Sequence, residues 1–265
     1  MRKYAIILTI LSMFIVTSLF AGEKILRIAG GTAHIPIVKD IAKTFMQKYP
    51  DIKVVISGGG SGVGIKQVGA GIIDIGDSGR DLKQSEIKKY NLKPYKIAID
   101  GIAVVVNPAN PINNLSLEEV QKIFSGKIKN WKEVGGKDAK INIYSRGKES
   151  GTRKTFEKLA LKKSKISHSA IFVSSNGNMK VMVIQDKNGI GYLSVGYLDN
   201  SVKALKIDNI YPSLSNIKSG KYKIQRYLYM IVSPKSPEYA ITFIKMVLSD
   251  YGQSIVKKHH FLPVK

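Results

Sequence analysis

The first apolar run, Ala5 to Phe20, is 16 residues long and follows Arg2 and Lys3. That is short of the ~20 residues a membrane-spanning helix needs. A basic start, a short apolar middle and a small residue at Ala21 predict a secretory leader, cleaved after Ala21. Beyond it the pattern alternates. Ile25 to Ile28 is a short apolar strand that runs into Gly30-Gly31-Thr32. Ile37, Val38, Ile41, Ala42, Phe45, Met46 and Tyr49 recur at helical spacing. Val54-Val55-Ile56 predicts the next strand, Val63 to Ala70 a short helix, and Ile72 to Ile75 a third strand. This β-turn-α order argues for a parallel α/β sheet.

Lys96 to Asn107 is a long apolar stretch closed by Pro108, and a second set of alternations follows. Ser116 and Glu119 form a capping-box signature at the start of a helix. Strands are predicted at Ile141 to Tyr144, Ile171 to Val173 and Gly189 to Leu193, with helices from Arg153 to about Leu161 and from Asn178 to Gln185. Tyr227 to Val232 is apolar again, and Pro237 opens a C-terminal helix through Leu248. There is no internal repeat and no Gly/Ser linker. The order fits two α/β lobes joined by two extended crossings, near 102–108 and 224–232. One lobe would comprise 22–105 and 225–265, the other 106–224.

Composition narrows the chemistry. The 265 residues include 44% hydrophobic ones, enough for a real core. The absence of Cys excludes disulfides, thiolate metal sites, Cys nucleophiles and Cys-linked lipid anchors, and four His make a His-rich metal site a poor prospect. A net charge of +23 favours anionic partners: nucleic acid, anionic lipid or small oxyanions. The Lys residues are dispersed along the whole chain, however, and stretches such as Lys162-Lys163-x-Lys165 read as solvated faces. A nucleic-acid binder would cluster them with exposed aromatics.

Four turns carry the candidate chemistry: Gly30 to Thr32, Gly58 to Ser61, Gly76 to Arg80 and Arg146 to Thr152. Each follows a strand, opens a helix, and combines Gly with Ser, Thr or Arg. Ligands of open α/β sheets sit at that edge. Helix N-termini there offer unpaired N–H groups and partial positive charge, which makes an anion cradle. Sharper motifs fail. The glycine spacing Gly59 to Gly64 is followed by Ile65 where a P-loop needs Lys, and Val63 breaks both the dinucleotide fingerprint and the hydrolase nucleophile elbow. His34 reads as a local turn residue and His259-His260 as a surface pair.

In order along the chain, Gly30-Gly31-Thr32, Gly58-Gly59-Gly60-Ser61-Gly62-x-Gly64-Ile65-x-Gln67, Asp74-Ile75-Gly76, Asp100-Gly101-Ile102-Ala103-Val104 and Arg146-x-x-x-Ser150-Gly151-Thr152 resemble the PstS-type phosphate-binding proteins of phosphate ABC importers. The resemblance covers nearly all of the chain after the leader. It implies a two-lobe periplasmic binding protein of the type II kind, closing around one inorganic phosphate in a cleft between the lobes. Thr32, Ala33 and Ser61 would bind from the first lobe, and Arg146, Ser150, Gly151 and Thr152 from the second. It also implies a membrane permease as partner, a monomer in the periplasm, no cofactor, no nucleic acid and no catalysis.

Position 79 departs from that pattern, because related proteins place Asp or Ser where this chain has Gly79. A carboxylate there would accept the proton that phosphate keeps at neutral pH and that sulfate lacks. Asp77 or Asp100 is a candidate replacement, and Ser78 and Arg80 are candidate contacts. Two readings stay open beside phosphate: a receptor for sulfate, molybdate or tungstate, and a basic exported protein that binds nucleic acid or surfaces. The leader gives the first prediction. The exported protein should start at Gly22, with 244 residues and a charge of +21, as intact-mass measurement will show.

Overall fold

A computed structural model describes residues 23–265 apart from Lys163; the expected leader lies outside the described residues. The first lobe opens with β1 (Lys24–Gly30), α1 (Ile35–Lys48), β2 (Ile52–Gly59), α2 (Ser61–Ala70), β3 (Ile75–Ser78) and α3 (Gln84–Tyr90). The long β4 (Lys93–Val106) leads into β5 (Asn114–Leu115), α4 (Leu117–Phe124), β6 (Asn142–Arg146), α5 (Gly151–Phe156), β7 (Ile171–Val173), α6 (Asn176–Gln185) and β8 (Gly189–Ser194). Two short strands, β9 (Lys203–Ala204) and β10 (Lys206–Ile207), and α7 (Leu214–Lys218) precede the return strand β11 (Gln225–Val232). The helices α8 (Glu238–Val247) and α9 (Asp250–Lys258) close the chain.

These elements form where local chemistry favours them. Helix α1 buries Ile37, Val38, Ile41, Ala42 and Phe45 at helical spacing, with Pro36 in its first turn. At α4 the Ser116 hydroxyl accepts from Glu119 N–H while the Glu119 carboxylate accepts from Ser116 N–H, so the expected capping box forms. One strand lies later than the pattern suggests. Gly71, in the left-handed region at φ 76°, ends α2, and Ile72 is 62% exposed in the turn that follows. The strand begins only at Ile75. A run of apolar residues marks burial or turn packing equally, and the Gly71 cap decides which.

The strands run in the order β2-β1-β3-β11-β4-β8-β6-β7 in one continuous sheet. Strands β1, β2 and β3 are parallel, as expected, but β11 runs antiparallel to both β3 and β4. The sheet is therefore mixed, because the chain re-enters the first lobe against its original direction. Strand β4 serves both lobes. Its residues up to Gly101 pair with β11, and Ile102 to Val106 pair with β8.

Packing separates at the same place. One core joins Ile102 to Val106 with residues through Ile224, among them Phe124, Trp131, Phe156 and Tyr192. A second joins Leu26, Ile28 and Ile75 to the apolar sides of α1, α8 and Phe261. A smaller cluster, with Ala29, Ile65 and Ile231, fills the opposite sheet face under α2. At the crossing, a Cβ on Gly101 would meet Ile217 Cδ1 at 2.5 Å, so the second lobe packs flush against that backbone. In the second lobe Phe156 stacks on Tyr192 at 4.1 Å between centroids and meets Phe124 edge-on at 4.9 Å. Removing such a ring leaves a large cavity. Phe156→Ala should cost about 3–5 kcal/mol of unfolding free energy, read by denaturant titration.

Candidate functional site

Strand ends and helix starts converge where the lobes face each other. The loop after β1, the N-terminus of α2, the end of β3 and the N-terminus of α5 surround a small cavity. Its lining includes Thr32, Ala33, Ser61, Arg146, Ser150, Gly151 and Thr152, all seven of the residues expected as ligand contacts. Gly79 lines it as well. Gly60 caps α2 at φ 92°, which brings Ser61, the first residue of the helix, to the cavity wall. The lobes are drawn tightly together here. A Cβ on Gly151 would stand 2.1 Å from Ser61 Oγ across the cleft, so only glycine permits this approach.

Arg146 is the dominant charge. It is 2% exposed, and its Nε and Nη2 donate to the carbonyls of Val173 and Ser174. Its Nη1 is buried with no hydrogen-bond partner. Among the described residues no carboxylate lines the cavity. Burial pulls the Arg146 pKa down to about 10, which still leaves it charged at neutral pH. A buried N⁺–H without an acceptor is costly, and the cavity it lines is the place for an anion to relieve it.

Thr32 is gripped from the second lobe. Its Oγ1 accepts from Asn176 N (3.2 Å), Asn176 Nδ2 (3.0 Å) and Arg146 Nη2 (3.4 Å), and its carbonyl accepts from the Tyr197 hydroxyl at 2.6 Å. Further bonds cross the cleft beside it: Gly62 N–H donates to Glu149 O, and the Thr155 hydroxyl donates to Gly79 O. The Lys66 ammonium meets the Glu149 carboxylate at 3.3 Å on the surface. The lobes are thus closed.

The four other candidates lie off the cavity. Arg80 pairs with Glu86 at 2.8 Å. The Ser78 hydroxyl turns back to the Arg80 carbonyl. Asp100 is fully buried and held by Arg226. Arg226 Nε and Nη2 donate to its Oδ2 at 2.9 and 2.7 Å, and Ser194 donates to its Oδ1 at 2.7 Å. Burial raises the Asp100 pKa while the guanidinium opposes that rise. Asp77 is 1% exposed, and its Oδ1 has no partner. Side chains alternate along a strand, so Asp77 shares the face of Ile75, beneath α1 and away from the cavity. His34 is buried between two carbonyls, with Nδ1 2.9 Å from Gly31 O and Nε2 3.1 Å from Tyr229 O. Burial holds its pKa near 3, so the ring is neutral.

Sequence reasoning missed Arg226, which lines the cavity and donates from Nη1 to Gly79 O at 2.9 Å. It also missed the Asn176 and Tyr197 grip on Thr32. A signal for Arg226 existed: six of the 42 basic residues are arginine, and Arg226 opens an apolar strand after a Lys-rich stretch.

Two lobes, one shared sheet and a small polar cavity between helix N-termini define a solute-binding fold, and residues 20–251 match the PBP superfamily domain. The chain belongs to the PstS phosphate-binding protein family. It is 38% identical to the phosphate-binding protein PstS of Bacillus subtilis over 242 residues, covering 90% of this chain and 80% of that one. It is 34% identical to PstS of Borreliella burgdorferi, covering 92% and 91% of the two chains. The X-ray structure of a Clostridium perfringens substrate-binding protein with bound phosphate superposes with a TM-score of 0.87 at 37% identity, covering 91% of this chain and all of that one.

The orphaned Asp77 sets a pH dependence of stability. Burial raises its folded-state pKa well above the ordinary 3.8, so its stabilising contribution is complete below the unfolded value and is lost as pH rises towards the folded one. Asp77→Asn removes the ionisation. The variant should gain unfolding free energy over wild type at pH 7, and the gap should shrink as pH falls to about 4, measured by urea titration at each pH.

Proposed function

We propose that this chain captures inorganic phosphate between its lobes and delivers it to the membrane permease of an ABC importer. The observation that carries the reading is the buried Arg146 Nη1, left without a partner in a cavity that no carboxylate lines. Family membership and the phosphate-bound Clostridium perfringens relative support phosphate as the anion. A tetrahedral oxyanion has an oxygen for each converging donor set: the Arg146 guanidinium, the Thr32, Ser61, Ser150 and Thr152 hydroxyls, and the N–H groups that open α2 and α5.

The same lining, made of glycines, Ala33, hydroxyls and two guanidiniums, suits capture of the anion. The division of the cores at Gly101 and Ile224 supports two lobes close to 22–105 with 225–265 and 106–224, with Ile102 to Val105 packing in the core of the second lobe rather than the first. Bonds across the cleft support a closed form that holds the anion and an open one that releases it to the permease. The leader read from the sequence supports a site of action in the periplasm. A charge of +21 on the processed chain raises the encounter rate with phosphate, and salt weakens that effect.

Arg146→Ala should weaken phosphate binding by about 2–5 kcal/mol, the range for removing one partner of a buried charge-assisted pair. Titration calorimetry on the anion-free protein measures it. Wild-type affinity in a folded Arg146→Ala protein would remove the basis of this reading.

A further inference from the structure

The two crossing strands carry a second cavity, on the face turned away from the phosphate site. In the β4–β11 pairing Arg226 stands opposite Asp100, and Tyr227 stands opposite Ile99. Side chains alternate along a strand. Arg226 lines the phosphate cavity, so Ile99 and Tyr227 face the other way, and both line a cavity of about 1000 Å³. Its walls come from both lobes. Leu214 and Ile217 of α7 pack in the second-lobe core, whereas Phe261 belongs to the first. Leu262 lines it as well and is tied to β4: its N–H donates to Ile99 O at 3.0 Å, and its carbonyl accepts from Ile99 N–H at 2.9 Å.

The lining has an apolar body and a basic rim. It includes Lys218, Lys257 and Lys265, and among the described residues no carboxylate. On α9 the cation that finds a carboxylate is Lys258, on Asp40, and Lys257 is left unpaired among the described residues. Helix α7 contains no acidic residue to answer Lys218. A fourth ammonium, that of Lys96, lies 4.0 Å from the centre of the Tyr227 ring. Ligand pockets of this size are mainly apolar, with a few polar groups that orient the occupant. Here the ammoniums select a negative head, and their alkyl stems extend the apolar surface. An inorganic anion would leave the apolar walls facing water, and a hydrocarbon would leave the ammoniums unanswered. The position matters too. Rotation about β4 and β11 that parts the lobes on the phosphate face brings α7 towards α9 and Phe261 on the other face. An occupant between them resists that rotation.

We propose that this rear cavity is a second ligand site, that it takes an anionic amphiphile with one acidic head on an aliphatic body, and that its occupant holds the lobes closed. The site stands on the cavity itself, and the coupling rests on the phosphate-capture reading. By linkage, the occupant raises phosphate affinity by the same factor by which phosphate raises its own.

The test is titration calorimetry on the anion-free protein, with decanoate as the probe and decyltrimethylammonium, the same tail with a cationic head, as the control. Decanoate should bind saturably, one per chain, and the cation about tenfold more weakly or less. The double variant Lys218→Gln, Lys257→Gln should lose about tenfold in decanoate affinity, the worth of a charge-assisted bond. Both lysines lie outside the phosphate cavity, so its phosphate affinity without decanoate should stay within about threefold of wild type. Saturating decanoate should raise the phosphate affinity of wild type by about fivefold. No saturable decanoate binding, equal binding of the cation, or undiminished decanoate binding by the double variant overturns the site. Decanoate that binds and leaves phosphate affinity unchanged overturns the coupling. A wild-type protein that does not bind phosphate overturns the capture reading and the coupling together, and the decanoate titration still decides the site.

Discussion

A guanidinium sealed from water with one N–H unpaired is the constraint around which this molecule is arranged. Arg146 is held at two of its nitrogens by the carbonyls of Val173 and Ser174, so it cannot swing out to solvent. Its charge has no carboxylate beside it. The second buried arginine, Arg226, is matched by Asp100 and contributes no surplus. The cavity therefore keeps about one uncompensated positive charge, supplemented by the N-terminal ends of α2 and α5. Such a centre is stable only when an anion completes it, and this couples ligand capture to the energetics of the closed form.

The coupling acts through Thr32. Its side-chain oxygen is the meeting point of Asn176 and Arg146 from the second lobe, and its carbonyl accepts from Tyr197 of the same lobe. These bonds exist only when the lobes are together, and they orient the Thr32 proton toward the cavity. Closure and ligand recognition are thus the same set of contacts. The lobes themselves are separate cores that meet at β4 and β11, with Gly101 admitting Ile217 against the backbone at the crossing. Two strands are a narrow connection for two cores, so relative movement there costs little packing.

Buried ionisable groups outside the cavity have a different role. Asp77 and His34 lie on the first-lobe side of the sheet, each with its neutral form favoured by burial. Neither adds charge to the cavity, so the Arg146 field is left unopposed. The Asp100–Arg226 pair, fully satisfied by Ser194, fixes the backbone of Gly79 through the remaining Arg226 N–H. A buried ion pair of this kind specifies geometry more than it adds stability. What it specifies here is the wall of the site that lacks a side chain.

Local chemistry was enough to place most of this. Helical spacing gave α1, the Ser116 capping box gave α4, and glycine-hydroxyl turns marked seven of the eleven residues that line the cavity, because each of those signals depends on neighbours a few residues apart. The partner of Asp100 lies 126 residues away on β11, and nothing near either residue encodes the match. The side of the sheet that Asp77 faces is not legible either, because a short strand buried on both faces shows no alternation from which to read it. Antiparallel return of β11, the Asn176 and Tyr197 grip on Thr32 and the filling of the Gly79 wall by Arg226 are likewise contacts between distant segments. The sequence determined the cradle's donors; only the packing of two lobes decided which charges reach it, because charge compensation in a buried site is a property of what lies within a few ångströms in space.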